Sequence, residues 1–153
     1  MNDMIARPPP VVRLMRLSTS NKLVLGEGLL GIVAASVAIK ILPFRRTAEL
    51  MQARIGDNRP PDARERDRLV AQCRWAVRAW ADRVPWRAVC FQRGLALHLM
   101  LRRRGIPSVL HYGVSQDEAE GLRAHVWVDV GERTVLGGEE APKFARVASF
   151  PAD

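Results

Sequence analysis

Residues 101–130, LRRRGIPSVLHYGVSQDEAEGLRAHVWVDV, contain the point at which the chain changes its period. The apolar residues before Arg104 belong to a helix. Arg102-Arg103-Arg104 fill its last turn, where cations complement the negative end of the dipole. Gly105 supplies the left-handed cap and Pro107 bars continuation. From Ser108 the pattern alternates. Residues 108–115 (SVLHYGVS) and 122–130 (LRAHVWVDV) read as strands joined by the acidic loop SQDEAEG. Gly131-Glu132 reads as a tight hairpin turn into a third strand over 133–136, which Gly137-Gly138 breaks; residues 144–150 add a last strand.

Working back from that point, the helix begins near Ala88 or Val89, just after a break at Pro85-Trp86. An earlier helix starts at Asp62, and its Leu69, Cys73, Ala76, Val77 and Trp80 recur at helical spacing. The opposite face carries Arg66, Arg68, Arg74 and Arg78, so Cys73 reads as a small buried hydrophobe. DNRPPD at 57–62 is a polar turn, preceded by a short helix over 44–55 that ends at Gly56. Ser18 or Ser20 caps a helix through LVLGEGLLGIVAASVAIKIL at 23–42, stopped by Pro43. A membrane span needs about 20 predominantly apolar residues. Here Glu27 and Lys40 interrupt the run, which favours a buried or partner-facing helix, with membrane association as the alternative. Residues 1–16, with Pro8-Pro9-Pro10 and several cations, form an extended basic arm. The implied organisation is a helical segment at 17–61 and a core at 62–153, folded as one compact unit. Helices first and antiparallel strands afterwards give an α+β domain.

The chain has 153 residues, 48% hydrophobic and 26% charged, which excludes a disordered or collagen-like protein. Its net charge is +8, carried mostly by arginine. The excess lies in the first three quarters of the chain; the segment from residue 116 onward is acidic. Such a balance suits an acidic peptide, a nucleic acid or an anionic membrane surface. No RNA-binding aromatic platform or helix-turn-helix signature accompanies it, so no nucleic-acid partner is expected. Two cysteines are too few for a disulfide framework, and no secretory signal leads the chain, so the reducing cytoplasm is the expected compartment. Cys73, Cys90, His98, His111 and His125 lack paired-ligand spacing, and neither metal nor cofactor is expected.

Cys90 falls in the first turn of its helix, where unpaired N–H groups and the dipole favour a thiolate; Arg87 acts in the same direction. A nucleophilic cysteine needs a base, and His125 lies on a later strand. Cysteine at a helix start with histidine on a following sheet is how papain-like and transglutaminase-like sites assemble. His98 sits two turns along the same helix, about 12 Å from Cys90, too far for an easy hydrogen bond. His111, on the neighbouring strand, faces either the core or the site. Trp127 shares a face with His125 and either shields the imidazole or fills the core. Trp86 and Arg87 are candidates for the wall of a substrate cleft.

PWRAVCFQRGLALHLMLRRRGIPSVLHYGV followed by AHVWVDVGERTVLGG resembles the lasso-peptide biosynthesis B family in its transglutaminase-like leader-peptidase form. The apolar segment ending in LPFRR and the closing FARVASFP extend the likeness over residues 13–151. The resemblance implies a cysteine peptidase that removes the leader from a ribosomally made precursor before a separate ATP-dependent cyclase closes the lasso. Cys90 then matches the nucleophile and His125 the general base. It also implies a separate winged-helix protein that grips the leader. The departure is the third residue of the triad. Related enzymes place an acid on the strand after the histidine strand, where this chain reads LGGEE at 136–140. A two-residue turn pairs His125 with Gly138, and a one-residue bulge would bring Glu139 opposite it, making Glu139 the candidate orienting acid. Asp129 shares the face but lies about 13 Å along the strand and reads as a surface or site-rim acid. A Cys/His dyad with a backbone carbonyl as orienter is the other arrangement. A non-catalytic peptide-binding scaffold of the same fold is the rival function.

Overall fold

The computed structural model describes residues 17–52, 59–81, 83–85, 90–117 and 121–151. The basic arm at 1–16, the end of the second helix, and Trp86 and Arg87 lie outside the described residues. The helices are α1 (Thr19–Ile41), α2 (Phe44–Gln52), α3 (Ala63–Ala81) and α4 (Cys90–Arg102). The strands are β1 (Val109–Asp117), β2 (Gly121–Val130), β3 (Arg133–Leu136) and β4 (Ala145–Phe150). They form one antiparallel sheet in the order β3-β2-β1-β4. The α+β expectation therefore holds.

Helix ends fall where side chains satisfy the orphaned backbone groups. The Asn21 N–H donates to the Ser18 hydroxyl at 3.3 Å, and the Glu65 N–H to the Asp62 carboxylate at 2.9 Å. Helix α4 closes as its sequence requires. Gly105 takes φ +70°, and the Ile106 N–H returns to the Leu101 carbonyl at 3.1 Å. The three arginines do more than complement a dipole. Arg104 forks both oxygens of Glu27, Arg103 approaches the same carboxylate at 3.6 Å, and Arg102 donates to the Gln52 carbonyl. The acid that interrupts the apolar run of α1 is thus the anchor that ties this helix to the end of α4.

Helix α1 lies across α3 and α4 at small residues. A side chain on Gly28 would meet Ala76 at 3.1 Å, and one on Gly31 would meet Ala96 at 3.2 Å. The Trp80 indole donates to the Leu25 carbonyl at 2.8 Å. Val24, Leu25, Ile32 and Ala35 are buried there, each large side chain contributing about 1.5–3 kcal/mol. Leu23, Leu30 and Ile41 remain at least 70% exposed on the outer side. By length and composition α1 could cross a membrane, but a third of its most apolar window is covered by the rest of the fold.

Beneath α4 lies the core face of the sheet, with Leu110, Val126, Val128 and Val130 buried. Cys73 is fully buried in the helical layer, and burial pushes its thiol up to about 11. His98 is also fully buried. Its Nε2–H donates to the Met51 carbonyl at 2.9 Å, so Nδ1 accepts from the Ser108 hydroxyl at 3.0 Å. Burial first of all depresses its pKa to about 4; the Met51 bond opposes this and the Arg102 charge assists it. Between that value and the unfolded 6.5 the unfolded chain binds the extra proton. Stability is therefore complete above pH 6.5 and falls as pH drops toward 4, by about 3 kcal/mol from this group. Urea unfolding at a series of pH values should show that slope, and His98→Gln should flatten it even if it lowers stability throughout.

Candidate active site

Two close approaches carry Cys90 to the sheet. Gly94, one turn after Cys90 on the same helix face, sits so near β2 that a Cβ would meet Val126 Cγ1 at 2.6 Å. Val126 and Ala124 share one face of their strand. Docking Gly94 on Val126 therefore sets Cys90 beside Ala124, and its Sγ lies 4.0 Å from the Ala124 carbonyl oxygen. Cys90 is partly exposed and opens into a cleft of about 570 Å³ that His125 also lines. Gly137, Phe144, Glu139 and Glu140 line the same space.

His125 is held from three sides. Its Nε2 lies 2.8 Å from the Gly137 carbonyl oxygen, its ring is 5.0 Å from that of Phe144, and it stacks against Trp127 at 6.2 Å. A carbonyl only accepts, so Nε2 carries the hydrogen and the basic lone pair of neutral His125 is on Nδ1. Glu139 does not take the orienting place. A bulge does follow the hairpin turn: Val130 pairs with Arg133 and Asp129 with Thr134, but Val128 pairs with Leu136. Pairing ends there, before either Gly138 or Glu139 could come opposite His125. Gly137 turns the chain at φ +76° and aims its carbonyl at the imidazole. The cleft keeps Glu139 as a lining residue.

Trp127 stands behind the imidazole and does not line the cleft. It is buried, with its indole stacked on His111 at 5.4 Å as well as on His125. Its place against His125 fits the shielding role, while its face of β2 is the one opposite Val126, Val128 and Val130, outside the main core beneath α4. The ring lies over Gly113, where a Cβ would collide with it at 2.7 Å. His111 is fixed in turn by the Ser149 hydroxyl at Nδ1, 2.8 Å away, and by Asp129 at Nε2, 3.0 Å away. Asp129 is thus a half-buried partner of His111, not a surface acid. The strand pairing that sets His111 opposite Trp127 explains why the diagonal Asp129 reaches it.

The chain order gave no sign of Phe144 or of the arginines that surround the cleft. Arg74 and Arg78 reach it from α3, Arg93 from α4 and Arg123 from β2, the last 5.9 Å over the Phe144 ring. Only tertiary packing puts the polar face of α3 next to Cys90. His98 is too deeply buried to take part.

The two thiols should differ sharply toward a small alkylating probe near neutral pH. Cys90 is expected to label in the folded protein, and Cys73 only after denaturation, since its thiol is buried and held largely protonated. Peptide mapping of the labelled protein with and without urea checks this.

Comparison with curated proteins and with solved structures finds no match. A family model does match: that of the transglutaminase-like superfamily, over residues 29–149, which include Cys90, His125 and all of the sheet except Phe150. With that span covering most of its length, the chain belongs to the transglutaminase-like superfamily, which includes cysteine peptidase-like members.

Proposed function

We propose that the protein is a cysteine peptidase that removes the leader from a ribosomally synthesised lasso-peptide precursor. The observation that carries this reading is the shared cleft of Cys90 and His125, with Nε2 of the imidazole tied to Gly137 and Nδ1 left as the base. Nδ1 takes the Cys90 proton, the thiolate attacks the scissile carbonyl, and the imidazolium returns the proton to the leaving amine. Water then hydrolyses the thioester, with His125 as base again. The Cys90 thiol, now beside the Ala124 carbonyl, turns toward Nδ1 as substrate enters; such contacts commonly tighten only in the bound complex. The Cys90 backbone N–H at the helix start serves as one oxyanion donor.

A neutral carbonyl stabilises the imidazolium less than a carboxylate would. That substitution is the specific support for the second reading, a non-catalytic scaffold that holds the precursor in a maturation complex. Under the peptidase reading, the partners are the leader peptide, a separate winged-helix recognition protein and a lasso cyclase, all in the cytoplasm. The exposed apolar face of α1 is a docking surface suited to the recognition protein. The test combines the purified chain, that recognition protein and the precursor, followed by mass spectrometry. Release of intact leader and core is expected; tight precursor binding without any cut would establish the scaffold instead.

A further inference from the structure

Several surface arginines are held by acids of the fold itself. Arg45 and Arg46 pair with Glu49, Arg68 with Glu65, Arg103 and Arg104 with Glu27, and Arg133 with Asp67. Arg74 and Arg78 are both exposed, stand one helical turn apart on α3, and form no ion pair with another described residue. Like charges at that spacing repel by about 0.2–0.5 kcal/mol, so this pair gains nothing for the isolated fold. It does place two guanidinium forks on the wall of the cleft that holds Cys90 and His125. Arg93 and Arg123 add to the positive potential, while the acids of the lining, Glu139 and Glu140, belong to the turn after β3.

We propose that the peptide cleaved here carries carboxylate side chains beside its scissile bond, seated on Arg74 and Arg78 of α3. The proposal rests on the peptidase reading and names the substrate class for it. Planar guanidinium forks bind carboxylates bidentately, which fixes register as well as charge. The acids of the peptide lie toward α3, because Glu139 and Glu140 repel them from the other wall.

The test uses the full chain carrying Cys90→Ala, so that binding is read without turnover. Two fluorescent peptides are compared, identical except that paired central glutamates in one are glutamines in the other. The glutamate peptide should bind at least tenfold more tightly, and Arg74→Gln/Arg78→Gln should abolish the difference. Arg64→Gln/Arg66→Gln removes the same charge from α3 outside the cleft and should leave the preference intact. Equal binding of the two peptides, no binding of either, or equal loss in both double variants overturns the proposal. The chain with Cys90 intact is then given both peptides. Cleavage of both at equal rates would preserve the peptidase reading while removing the acidic preference. Arginine-dependent binding with no cleavage would leave the acidic-peptide face standing and remove the peptidase reading.

Discussion

Cys90→Ala is expected to lower precursor cleavage by on the order of 10⁴-fold or more while leaving the fold unchanged. Removing the nucleophile of a covalent mechanism leaves only the residual rate that binding and oxyanion contacts supply. The structural cost should be small. The side chain is partly exposed at a helix start, and its polar contact is a long one to the Ala124 carbonyl. Thermal unfolding of the variant should therefore match the parent within a few degrees. Cys73→Ala provides the opposite control. That thiol is fully buried among the helices, so its loss should cost about 1–2 kcal/mol through the cavity left behind, with cleavage retained in the folded fraction. Cys90→Ser separates nucleophilicity from shape. A hydroxyl is far harder to deprotonate than a thiol, and this variant should be nearly as inactive as alanine. Full activity in Cys90→Ala would remove the cysteine mechanism outright, since Cys73 has no access to the cleft.

The elements and their order were legible because each boundary has a local physical cause. Asp62 caps a helix, Gly105 and Pro107 end one, and alternation from Ser108 onward admits only strands. Cys90 and His125 could be singled out because a helix-start cysteine and a strand histidine are chemical types tied to particular backbone positions. The partner of His125 was not legible. Counting residues across a hairpin presumes that pairing continues, and Gly137 leaves the sheet one residue after the last pair. The group that orients the ring is a backbone carbonyl, which every residue possesses and no sequence pattern marks. The second role of the arginine run at 102–104 was hidden for a related reason. Its dipole role follows from chain position, but its grip on Glu27 depends on α1 crossing α4, which the small residues Gly28 and Gly31 permit without announcing. Trp127 could be placed on the face of His125 by period alone, yet its second stacking partner, His111, required the register of β1 against β2.

Gly137→Ala should reduce the rate of cleavage by about 10²-fold with little change in KM. Two constraints meet at this residue. Its φ of +76° is a conformation that L side chains rarely adopt. A Cβ there would also stand 2.6 Å from the Val126 carbonyl oxygen, 3.1 Å from His125 Nε2 and 3.2 Å from Trp127 Cα. Two of these neighbours are backbone atoms and cannot turn aside, so the turn itself must shift and carry the orienting carbonyl with it. A displacement of about 1 Å in a catalytic group can cost on the order of 10²-fold. Substrate binding draws on other parts of the cleft, which is why the effect should fall on kcat. Gly131→Ala isolates the backbone strain. Its φ is +58°, but its Cβ would enter open space, so about 1 kcal/mol of stability should be lost with activity retained. Gly138→Ala isolates crowding without a positive φ: its Cβ would press on the Thr134 side chain at 3.0 Å, and the effect on kcat should be minor. If Gly137→Ala kept the parental kcat while Glu139→Gln lost it, the carbonyl would be incidental and the acid on the cleft wall would be the group that orients His125. Loss in Gly137→Ala with Glu139→Gln near parental activity establishes a cysteine–histidine pair steered by the main chain.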